Sequence, residues 1–185
     1  MDLADALRQL AEQNLSGVAF LSAYGLTWLV CAVFWSRASQ RTAAYATLFQ
    51  GMVAFPIALG LSALIGAIGQ SRPVPEEITQ FSILVGTSQL LGLPLLIYLI
   101  IKRQYGLVPV VFATITAVHF VLYSWLYQTP LYIGMAVLIA LSTTAVMGAA
   151  DEANPRSGPG RVCLVTGSLL LLTAAVFAGM HLTAS

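Results

Sequence analysis

The feature that most constrains this chain is where its charges are missing. No Asp, Glu, Lys or Arg occurs in residues 13–36, 42–71, 78–101, 104–150 or 162–185. Uncharged apolar runs longer than about 18 residues are bilayer spans, because a helix of that length in water needs a polar face. The runs do not alternate apolar and polar residues, as the short strands of an outer-membrane barrel would. Across 185 residues there are 8 Lys or Arg and 7 Asp or Glu, while 58% are hydrophobic. That is too few charges to cover the surface of a soluble domain. The expected fold class is therefore all-α: a polytopic transmembrane bundle of six helices in a lipid bilayer. A net charge of +1 leaves no basic surface for a nucleic acid.

Residues 1–14, "MDLADALRQLAEQN", form an N-terminal segment ahead of a six-span domain over 15–185. Leu3, Ala6, Leu7, Leu10 and Ala11 share one helical face, with Asp2, Asp5, Arg8 and Glu12 elsewhere. This pattern suits a short helix lying in the membrane interface, and equally a solvated first turn that continues into span 1. The spans are expected at about 15–35, 43–69, 80–101, 107–127, 131–149 and 162–182. Spans 4 and 5 are separated only by "QTP" and should form an antiparallel hairpin, whereas "ADEANPRSGPGR" before span 6 is a loop.

With six spans, Arg37, Arg41, Lys102, Arg103, Arg156 and Arg161 fall on one side, and only Arg8 and Arg72 on the other. Cytoplasmic loops keep the positive charge. Loops 1, 3 and 5 are thus expected in the cytoplasm and both termini outside. Cys31 and Cys163 then lie near the reducing side as free thiols. Small residues at Ala58/Ser62/Gly66, Ser88/Gly92 and Ala175/Gly179 suit close helix packing. An inverted repeat of three spans plus three is a further possibility, suggested by "GMVAFPIALGLSALIG" and "GMAVLIALSTTAVMG".

The polar residues of span 4 are the candidate site. Thr116, His119, Tyr123 and Tyr127 succeed one another at steps of three and four, which makes a stripe on one helix face. Lipid satisfies no polar group, so the stripe should face the bundle. His119 stands about 18 Å from the start of the span at 1.5 Å per residue. Gln89 in span 3 is expected at a similar depth, beside Thr87 and Ser88. Pro94 and Pro56 each remove a backbone donor and free a carbonyl one turn earlier. His119 can serve as a lock between two helices, as a ligand contact, or as an acid or base. Trp28, Trp35, Trp125 and Tyr132 are read as interfacial anchors, the usual work of aromatic rings at the headgroup level. His181, near the C-terminal end, is read as solvated. No carboxylate or thiol stands with the histidines to complete a metal site, and no cofactor motif occurs.

The chain resembles an uncharacterised bacterial family of small integral membrane proteins, a domain of unknown function. The resemblance is carried by "GVAFLSAYGLTWLV", by "FPIALGLS" and above all by "HFVLYSWLYQTPLY", with His119, Phe120, Trp125 and Tyr127. It implies a multi-pass protein of the bacterial inner (plasma) membrane and brings no activity with it. Three functions stay open. One is binding or transport of a small neutral or weakly polar ligand, such as a small molecule or a lipid, in a cavity near His119. The second is an intramembrane enzyme with His119 as acid or base, helped by a hydroxyl of Tyr123 or Thr116. The third is a purely structural or regulatory protein, with a helix-mediated homo-oligomer or membrane partner.

Overall fold

The structure, a computed structural model, describes residues 2–68, 74–150, 154 and 156–184. Arg72 and most of the "ADEANP" loop lie outside the described residues. Among the described residues the fold is all-α, without a strand. Helix α1 (Leu3–Gln13) precedes α2 (Val18–Arg37) and α3 (Gln40–Leu64). The third span is made of two halves, α4 (Glu76–Ser88) and α5 (Leu93–Ile101), joined by a 3-10 turn over Gln89–Gly92. Helices α6 (Val108–Leu126), α7 (Leu131–Gly148) and α8 (Ser157–Ala184) complete the chain. Six helical stretches, counting α4 to α5 as one, are long and apolar enough to cross a membrane.

The ends of the spans shift by a few residues, for local reasons. Span 2 stops at Leu64 because Gly66 turns the chain with φ +72°. Span 3 begins at Glu76, earlier than the hydropathy suggests, because Pro75 precedes it and Glu76 and Glu77 suit the positive end of a helix dipole. Span 6 begins at Ser157. The helices thus run beyond the apolar stretch, and the charged residues of the spans sit within their first or last two turns.

Helix α2 is the centre of the bundle and lies mainly between α8 and α3. Leu21, Trp28 and Trp35 recur at seven-residue intervals on its buried face. The α2–α8 contact is close because both helices place glycine there. A Cβ on Gly167 would stand 2.8 Å from the carbonyl oxygen of Gly25, and a Cβ on Gly25 only 3.1 Å from that of Gly167. In a bilayer, small residues let backbones approach and dispersion contacts replace the hydrophobic drive. Of the small-residue sets named above, Ala58 and Ser62 are buried, and Gly92 accommodates Ile115. Ala175 and Gly179 face outward, and no atom crowds Gly179. The sequence therefore pointed to the wrong face of α8, since every face of that helix carries small residues.

The outer surface is apolar in the way lipid contact demands. Met52, Leu64 and Leu91 are 73%, 83% and 85% exposed. A water-soluble protein does not leave so many large apolar side chains outside.

Helix α1 is separate from span 1. Leu15, Ser16 and Gly17 all adopt positive φ, which breaks the helix between them. The apolar face of α1 is not spread on lipid: Leu7 and Leu10 pack with Leu126, Val74 and Ile78 on the end of the bundle. The break is held in place by the protein. The Tyr132 hydroxyl donates to the Ser16 carbonyl at 2.6 Å, and Ser16 Oγ lies 3.2 Å from His181 Nε2. His181, read as solvated, is thus paired. Gly17, at φ +82°, has no room for a side chain, since a Cβ would stand 2.7 Å from that same tyrosine oxygen.

Candidate functional site in the polar seam of the bundle

His119 is buried and faces the third span. Its Nδ1 lies 3.2 Å from Ser88 Oγ, and the Ser88 hydroxyl is itself 2.7 Å from the Val85 carbonyl. Because the Ser88 hydroxyl donates to Val85, its oxygen accepts from Nδ1–H, and Nε2 is left as the acceptor. Ser88 is available to His119 because α4 ends there: the backbone tightens into the 3-10 turn, and Pro94 in the first turn of α5 has no N–H to continue the ladder.

Gln89 is not the partner of His119. It sits in the same turn, near the Tyr24 hydroxyl of α2. One residue of helical rotation separates the two directions, so Ser88 bonds α6 while Gln89 lies toward Tyr24 of α2. Thr116 is buried one turn nearer the loop-3 end of α6. Tyr123 meets the His119 ring edge-on at 5.1 Å, and Tyr127 follows at 5.7 Å from Tyr123. The predicted stripe is thus real as a face of α6, but it meets Ser88 rather than Gln89.

Three of the four expected anchors are corrected by burial. Trp28 and Trp35 are 0% exposed and Tyr132 is 1% exposed. An anchoring ring must reach the headgroups, and these reach other helices. Trp28 packs on Phe112 at 5.5 Å, and Trp35 Nε1–H donates to Thr47 Oγ1 at 3.1 Å. Tyr132 lies between Phe120, at 5.7 Å, and Phe177, at 5.3 Å. Trp125, 46% exposed, is the one of the four that faces outward.

A second polar cluster lies nearer the other end of α2, and sequence reading passed over it. Gln50 is buried in α3 and accepts from Thr27 Oγ1 at 2.8 Å. Thr47, which accepts from Trp35 and donates to the Ala43 carbonyl, lies near Cys31 and Cys163, both buried, from α2 and α8. Thr166 is buried one turn further along α8. The signal was Gln50, an amide in the middle of an uncharged run, which a search for ionisable groups does not notice.

The ends of the bundle differ in charge. Gly106 meets Pro159, and Gly160 meets the Cβ of Trp35, so loops 1, 3 and 5 cluster at one end. That end carries Arg37, Arg41, Lys102, Arg103, Arg156 and Arg161. It is called the basic end below. Among the described residues no three His, Cys, Asp or Glu side chains converge as a metal site.

A broken span, apolar outer faces and polar seams inside define a small, six-span, all-α membrane protein. The chain matches the model of a family of unknown function, DUF7010, over residues 3–179, and it belongs to that family. No curated protein and no solved structure matches it.

Proposed function

We propose that this membrane protein binds, and in turnover passes, a small neutral or weakly polar ligand along the seam between α6 and the broken third span. The observation that carries it is the break at Gln89–Gly92, where Ser88 reaches His119 and Gln89 lies near Tyr24. Discontinuous helices place polar backbone and side chains at membrane depth, and such backbone is tolerated only beside protein or a cavity. The ligand is neutral because fixed charge lies only near the span ends. His119 Nε2 and the Tyr123 hydroxyl supply orientation rather than countercharge. An acid or base role for His119 would use the same nitrogen.

The His119–Ser88 bond favours a second function, in which the imidazole only locks α4 to α6. Native mass spectrometry of gently solubilised wild type and His119→Ala separates the two. Ligand binding predicts a co-purifying adduct in the wild type that is lost in the variant. No adduct in either, with the variant merely less stable, leaves the lock and removes the ligand.

The orientation follows from charge: the basic end faces the cytoplasm of a bacterial inner membrane, and both termini face out. Thr183→Cys, at the exposed end of α8, is expected to react with a membrane-impermeant maleimide on intact cells. Labelling only after lysis would reverse the topology. Cys31 and Cys163 are buried and should not interfere.

A further inference from the structure

Three polar atoms deep in the bundle have no hydrogen-bond partner: Trp28 Nε1, Gln50 Nε2 and Thr166 Oγ1. Their residues are 0%, 4% and 0% exposed. They come from three helices and share one level. Helices α2 and α8 run antiparallel, with Gly25 against Gly167 and Trp35 against Gly160. Cys31 and Cys163 meet between those contacts. This register sets Thr166 at the level of Trp28. Between α2 and α3, Thr27 bonds Gln50 and Trp35 bonds Thr47, which brings Gln50 within a turn of Trp28.

An orphaned donor in a hydrocarbon surround is costly, since no solvent relieves it. A partner shared by all three removes that cost. The indole N–H only donates, the hydroxyl does either, and the amide turns a nitrogen or an oxygen inward as it rotates. The shared partner must therefore offer an acceptor oxygen. It must also be uncharged, because none of the three groups carries a countercharge.

A cleft lies about one helical turn from this level. An open cleft of about 500 Å³ at the basic end is lined by Ala32, Trp35, Ser36, Gly160, Arg161 and Leu164. Ala32 is one helical turn from Trp28, about 5–6 Å along α2.

We propose that Trp28, Gln50 and Thr166 form an internal site that holds the oxygen of one small neutral acceptor, a water molecule or a carbonyl-bearing guest, reached from this cleft. It is independent of the seam at His119. Buried waters typically take two to four such partners.

The test uses full-length protein with 15N-indole tryptophan in phosphatidylcholine nanodiscs, with Trp28 assigned through Trp28→Phe. The Trp28 Nε1–H resonance is expected at a hydrogen-bonded position, like that of Trp35, whose partner is Thr47. Cross-relaxation to solvent would identify water. An adduct in native mass spectrometry that is lost in Thr166→Val would identify a guest. Thr166→Val is expected to move the Trp28 resonance upfield and to abolish the cross-peak or adduct; Thr166→Ser is expected to keep both. An unbonded Trp28 resonance overturns the site. So does a bonded one with neither solvent contact nor adduct, which a direct Trp28–Gln50 amide contact would produce. The wild-type spectrum and mass decide by themselves if Thr166→Val does not fold.

Discussion

Trp35→Ala is expected to destabilise the protein by about 3–5 kcal/mol, the usual cost of truncating a fully buried large aromatic. The ring is 0% exposed and its Nε1–H is bound to Thr47 Oγ1, so truncation leaves a cavity where α2, α3 and α8 meet. Trp125→Ala is the control. That ring is 46% exposed and makes one edge contact, with Phe81 at 5.4 Å. Its loss should cost about 1 kcal/mol, near the value of a single aromatic pair. Unfolding in mixed micelles of increasing denaturing detergent measures both. Equal, small losses would return Trp35 to the membrane interface and undo the placement of α2 at the centre.

Gly167→Val has the second large effect, by the opposite route. Here volume is added where two backbones touch. The new Cβ alone would stand 2.8 Å from the Gly25 carbonyl oxygen and 3.0 Å from Leu29 Cδ2. A side chain at that distance can be turned away, but a helix carbonyl cannot. Overpacking typically costs about 1–3 kcal/mol, and the rigid obstacle places this case at the upper end. A Cβ on Gly179 of the same helix meets no atom within 4 Å, so Gly179→Val should be close to neutral. If the two variants melt together, α8 does not pack on α2 through this face.

These two substitutions also mark where sequence reasoning stopped. Helix count and class were legible because a charge in hydrocarbon is costly, and the chain records that cost as long uncharged runs. The amphipathic pattern of α1 was equally plain, with Leu7 and Leu10 on its buried face. Its partner was not, since Leu126, Val74 and Ile78 are distant in the chain. The polar stripe of α6 could be drawn from spacing alone, because helical periodicity fixes which residues share a face. What the stripe meets could not. Ser88 and Gln89 are adjacent in sequence, and only the local tightening of the broken span decides which of them turns toward His119.

The aromatic residues show the same limit most clearly. Trp28, Trp35, Tyr132 and Trp125 look alike in a hydropathy profile, each an aromatic near the end of an apolar run. In a bilayer both faces of a helix are apolar, so no periodicity tells the lipid side from the protein side, as it would in water. The sequence by itself determined that the chain has six stretches long and apolar enough to cross a membrane, that most of its cations gather at one end, and which residues share each helix face. Only the tertiary structure decided which face is inside. That choice rests on where two backbones can touch, at Gly25 and Gly167, and on which polar groups find each other once they do.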